Sequence, residues 1–141
     1  MSDPNTTPAL NSALAALSSS LVQYTGECRP WTDSDDDSEL AALDLFRRRQ
    51  QLQIARLVEL LGQRGDTVEL GRFPTRYTDL HFISLENLYP RLIANQQSIL
   101  ETLDKSATLC RDDDTASGLI ADAVAEEQRT LEELGTLVVA N

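Results

Sequence analysis

Apolar residues recur along most of this chain at alternating spacings of four and three, the mark of helices that bury one face. The first stripe, Leu10, Leu14, Leu17, Leu21, Tyr24 and Cys28, predicts a helix from about Pro8 to Cys28. Arg29-Pro30 should end it, because proline disfavours helix in the residue before it and has no N–H to donate. A second helix, from about Ser38 to Leu61, follows Leu43, Phe46, Gln50, Ile54, Leu57 and Leu61, and Gly62 and Gly65 close it. The third, from about Thr78 to Leu109, carries His81, Leu85, Leu88, Leu92, Ile99 and Leu103, and Pro90 must kink or restart it. The fourth has Asp114 or Thr115 as N-cap and runs on Ile120, Val124, Glu127, Leu131, Leu134 and Val138.

Between the second and third helices lies "DTVELGRFPTRY", which has no helical period. Antiparallel neighbours in a bundle are usually joined by two to eight residues, so this connection is long. At roughly 3.3 Å per extended residue it could reach about 40 Å, the length of an adjacent helix. Four amphipathic helices, none apolar all round, therefore predict a single all-α domain, a four-helix bundle in which a long crossover between the second and third helices is geometrically available. The other loop, "TDSDDDSEL", places Asp36 and Glu39 at capping-box spacing before the second helix. Its alternating Asp33, Asp35, Asp37 and Glu39 are similar to a calcium loop without the glycine that permits the sharp turn, so capping and solvation are the preferred reading.

Charge narrows the function. With 12 basic and 23 acidic residues, a net of -11, the chain repels a phosphate backbone, and nucleic acid is not an expected partner. Arg47, Arg48 and Arg49 are flanked by acids and read as a solvated helix face. The sequence has no apolar run long enough to span a bilayer, and "MSDPNTTPAL" lacks the pattern of a signal peptide, so a cytoplasmic protein with no membrane partner is expected. Cys28 and Cys110 fall in phase with apolar stripes and read as small buried hydrophobes.

Two stripes contain a polar residue where an apolar one belongs: Gln50 in the second helix and Glu127 in the fourth. Aligning the helices puts Leu17, Gln50, Glu127 and either Asn95 or Gln96 near mid-bundle. An unpaired polar group there costs about 1–3 kcal/mol, so the layer should be hydrogen-bonded or serve a site.

The pattern resembles the ferritin-like superfamily, bacterioferritins most closely. "LNSALAALSSSLVQY" is similar to their first helix, "VELGRF" to part of their long crossover, and "DDDTASGLIADAVAEEQRTLEEL" to their last helix. The resemblance implies a di-iron site built from one carboxylate on each of two helices and a Glu-x-x-His pair on each of the others. This chain departs from that set at every step. The first-helix glutamate would fall at Leu17. The second helix shows Gln50 and Gln53 for Glu-x-x-His. Between Pro90 and Asn95 no carboxylate stands. The last helix keeps Glu127 but follows it with Thr130, and one register earlier Glu126 is followed by Arg129. Haem has no methionine ligand either, since the matching neighbourhood is Gln51 and Leu52 and the sole methionine is Met1.

The expectation is thus a ferritin-like bundle with a degenerate metal site, carrying no cofactor and no catalytic residue. It would act as a structural or interaction protein that self-associates through helix faces as a homodimer. The alternative is an iron-binding or iron-storage protein, a ferroxidase-type oxidoreductase, whose ligands are displaced, as between subunits in the Dps-like branch; its only support is the acidic loops. A small-molecule pocket between helices is a third possibility. His81 has no partner at a recognised spacing and reads as structural, while Tyr24, Tyr77 and Tyr89 could lend hydroxyls to a polar network.

Overall fold

The computed structural model describes residues 5–27, 30, 37–80 and 83–140. His81, Cys28 and the acidic loop through Asp36 lie outside these. The elements are α1 (Thr6–Ser18), α2 (Leu21–Glu27), α3 (Asp37–Gln63), a 3-10 helix (Thr75–Leu80), α4 (Leu85–Leu109) and α5 (Asp114–Ala140). Together they make an all-α bundle of four rods, the first rod being α1 and α2 in line.

The expected continuous first helix is broken. Ser19 Oγ donates to the Ala15 carbonyl at 2.6 Å beside Ser19 N, and Ser20 Oγ accepts from Gln23 N at 3.2 Å as a cap of α2, so hydroxyls bond to the backbone on both sides of the break. The apolar spacing runs through the break unchanged, which is why periodicity alone predicts one helix.

Side-chain contacts fix the direction of each rod. Ser106 Oγ donates to the Ala9 carbonyl at 3.0 Å and Leu21 N to Asn95 Oδ1 at 2.9 Å, so α4 runs antiparallel to the first rod. Gln23 Nε2 donates to the Arg47 carbonyl at 2.9 Å, while Thr7 Oγ1 donates to Asp66 Oδ2 at 2.9 Å just past the end of α3; α3 is antiparallel to the first rod as well. Hence α3 and α4 are parallel, and the chain between them must travel the length of the bundle. Asn11 clamps that passage, donating to the Thr67 carbonyl and accepting from Glu69 N, both at 2.8 Å. Further along, Ser18 Oγ accepts from Gly71 N at 2.9 Å, and Phe73 meets Tyr24 edge-on at 5.1 Å.

The passage begins where α3 is stopped sharply. Gly65 has φ +69°, with Gly65 N bonded to the Gly62 carbonyl and Asp66 N to the Leu61 carbonyl. That is a Schellman motif, in which glycine takes the left-handed position without a Cβ penalty.

Three boundaries differ from expectation. The third helix does not start near Thr78: the 3-10 helix covers 75–80, and α4 begins after Ser84, whose Oγ accepts from Asn87 N at 3.3 Å. Pro90 lies in the second turn of α4, five residues inside rather than at a restart. The N-cap of α5 is Asp113, not Asp114 or Thr115, since Asp113 Oδ1 accepts from Ala116 N at 3.1 Å. Glu39 is buried and accepts from the Tyr89 hydroxyl at 2.8 Å, while Asp36, its expected capping-box partner, lies outside the described residues.

Asp113 also ties α3 to α5. Arg64 donates to both of its oxygens, at 2.7 and 2.9 Å, a bidentate pair that fixes the lower end of the bundle. The hydrogen bond from Arg64, aided by Ala116 and Thr115 N–H groups, holds the Asp113 carboxyl below the usual aspartate range against a smaller opposing effect of burial. A depressed folded value stabilises above the ordinary aspartate pKa and loses that stability as pH falls through the folded value. Asp113→Ala is therefore expected to cost about 1–2 kcal/mol near neutral pH. In urea unfolding the deficit should shrink in strong acid; an equal deficit there would show that the carboxylate's charge is not what Asp113 contributes.

Candidate functional site

The buried apolar residues form two clusters rather than one. The lower holds Leu10, Leu14, Leu17, Leu57, Leu61, Ile99, Leu103 and Ile120; the upper holds Leu21, Leu43, Phe46, Leu88, Leu92 and Leu134. Between them each rod carries buried polar residues: Ser20, then Gln50 and Gln53, then Gln96, then Glu127 and Thr130. The break between α1 and α2 falls at the same level.

Gln50 is the hub. Its Nε2 donates to Glu127 Oε1 at 2.5 Å, and its Oε1 accepts from Ser20 Oγ at 2.8 Å and Gln23 Nε2 at 3.0 Å. From the far side, Gln96 Nε2 donates to the same Glu127 Oε1 and to the Glu127 main-chain carbonyl, both at 3.0 Å. Three rods thus converge on one carboxyl group, and the first rod reaches it through Gln50.

Burial pushes the Glu127 carboxyl above the ordinary glutamate range; the donors Gln50 and Gln96 pull it down, Glu126 adds a smaller upward push and Arg49 a smaller downward pull. The upward effect prevails. Hydrogen bonding agrees with a neutral acid: Glu127 Oε2, Gln96 Oε1 and Thr130 Oγ1 are buried and have no partner among the described residues, and a carboxylic proton adds a donor to a set rich in acceptors.

The residues singled out from sequence separate into two groups. Gln50 and Glu127 meet directly, and of Asn95 and Gln96 it is Gln96 that joins them. Asn95 instead caps Leu21 N and donates to the Tyr77 hydroxyl at 3.1 Å. Gln53 and Thr130 are buried at this level. Leu17 is not in the layer but in the lower cluster, and Ser20 takes the first rod's place. Arg129 faces outward and pairs with Glu133 at 3.3 Å; Glu133 is held more closely by Arg49, at 2.7 Å. Glu126 is half-buried and makes no hydrogen bond in the layer. Ser20 and Gln23 were missed because they are off the apolar stripe; the run Ser18-Ser19-Ser20 was the available signal.

The donor set does not fit a pair of iron ions. Gln50 Nε2 is already committed to Glu127, and one carboxyl cannot balance two divalent cations. Among the described residues no three His, Cys, Asp or Glu side chains converge, and no helix is long and apolar enough to cross a membrane. Of the tyrosines, Tyr89 and Tyr77 bond outside the layer, to Glu39 and Asn95. Compared with known proteins, the chain matches no family model, no curated protein and no solved structure.

Proposed function

We propose that this chain is a ferritin-like bundle whose di-iron site has been replaced by a hydrogen-bonded layer, and that it works without catalysis, as a structural or interaction protein that self-associates through its helix faces. The observation that carries the reading is Gln50. It stands where a metal ligand is expected in the resemblance, and every polar atom of its amide that bonds does so within the protein: two donors reach its oxygen and Glu127 receives its N–H. The parallel α3 and α4, with the connecting chain laid along α1, support the ferritin-like part of the reading.

A site built to bind metal keeps carboxylate and imidazole lone pairs open toward the ion. Here the amide groups have turned inward to a carboxyl that burial drives toward its neutral form, so the layer stabilises the core rather than offering charge. The test is the metal content of protein expressed in iron-rich medium, together with the rate of ferrous iron oxidation. Iron well below one equivalent and no acceleration are expected. A full di-iron complement, or ferroxidase turnover that disappears in Glu127→Ala, would refute the reading.

A further inference from the structure

One groove in this acidic chain is lined by basic and not acidic side chains. It opens between the 3-10 helix and α4, encloses about 420 Å³, and is lined by Leu21, Arg76, Tyr77, Leu80, Arg91, Ala94, Asn95 and Ser98. No Asp or Glu is among those residues, in a chain that has 23 of them. Arg47, Arg49, Arg56, Arg64 and Arg129 are each paired with a carboxylate, whereas Arg76 and Arg91 make no ion pair among the described residues. Arg48, Arg72 and Arg111 are unpaired in the same sense, but none of them lines this groove.

The donors of the groove are oriented. Arg76 lies over the Tyr77 ring, its guanidinium carbon 5.6 Å from the centroid, which holds the charge at the lip. Arg91 and Ser98 stand seven positions apart on α4, two turns of one face, with Ala94 and Asn95 between them. Asn95 spends its oxygen on Leu21 N and its amide on the Tyr77 oxygen, so the phenolic O–H is left to donate elsewhere. Burial raises the Tyr77 hydroxyl above its ordinary value, with Arg76 and Asn95 opposing, which keeps that proton in place at neutral pH. Leu21 and Leu80 supply a buried apolar floor.

We propose that this groove binds a small organic oxyanion, a carboxylate or phosphate ester with a short apolar body, its head between Arg76 and Arg91 and its body on Leu21 and Leu80. Guanidinium forks match the planar pairs of oxygens on such groups, and the volume lies in the range of small-ligand sites. The overall negative charge works against anions at long range, so the site selects by local contact and not by steering. The proposal is independent of the fate of the metal site, because none of its residues belongs to the polar layer.

Octanoate, octyl phosphate and uncharged octanol are the probes, titrated into the full chain and followed by calorimetry and by amide NMR signals. At least one of the two anions should bind with Kd below about 1 mM and shift signals from residues 76–80 and 91–98, while octanol does not. Whichever anion is tighter tells carboxylate from phosphate ester. Arg76→Gln with Arg91→Gln should weaken binding at least about tenfold, as loss of two charge-assisted contacts implies, whereas Arg111→Gln at the opposite end leaves it unchanged. Circular dichroism checks that the variants fold. Binding of octanol as tight as octanoate, retention of affinity in the double variant, signal shifts centred elsewhere, or no binding of either anion would each overturn the proposal.

Discussion

Gln50→Leu is expected to destabilise the bundle by about 1–3 kcal/mol, because it removes a donor to Glu127 and leaves the buried Ser20 hydroxyl without its acceptor. Glu127→Leu alone should cost a similar amount by stranding the Gln50 and Gln96 amides. Combining the two removes both ends of one interaction, and a buried polar pair can often be exchanged for apolar side chains at little net loss. The double variant should therefore lose less than the sum of the singles. Urea unfolding of all three in one buffer decides the matter: strict additivity would mean that these residues do not interact.

The same layer should impose a pH dependence. The folded Glu127 carboxyl is raised above its ordinary value, so its contribution to stability is fully present below that ordinary value and is lost as pH rises through the folded one. Glu127→Gln keeps the shape and cannot ionise. Its melting temperature relative to the parent should improve as pH rises from the ordinary glutamate value through the folded one. Parallel curves of melting temperature against pH for the two proteins would show that Glu127 is not a source of this dependence.

Gly71→Ala is expected to be the most damaging small substitution in the connecting chain, at about 1–3 kcal/mol. A Cβ there would press on the Ala15 carbonyl oxygen and come within 2.9 Å of Ser19 Cβ, and the backbone of α1 cannot yield as a long side chain could. Gly62→Ala is the control, since nothing lies within 4 Å of its added Cβ and alanine suits a helix better by up to about 1 kcal/mol. Equal stability of the two variants in chemical denaturation would show that the connection does not need close approach at Gly71.

How much of this could be read from the residues follows from what periodicity records. The helical period marks which side faces inward, so four rods, and Gln50 and Glu127 in phase with their stripes, were legible. It does not record continuity: Leu17, Leu21 and Tyr24 keep their phase across the break at Ser19-Ser20, where hydroxyls bond to the backbone on both sides. Nor does it choose among three successive aspartates, and the pair with Arg64 that marks Asp113 spans two helices. The groove at Arg76 and Arg91 was beyond sequence reading because its donors come from the 3-10 helix and α4 and are organised by Asn95, a residue the sequence offered as a layer member.

The placement of one polar level between two apolar clusters also settles how the rods are aligned end to end. Leucine stripes on facing helices are nearly interchangeable from turn to turn, so a helix could slide by one turn, about 5.4 Å, and still find leucines opposite. Such a slip would carry the Gln50 or Gln96 amide away from Glu127 and set it against hydrocarbon. Like a single asparagine in the seam of a coiled coil, the layer works as an index mark that only one axial alignment satisfies.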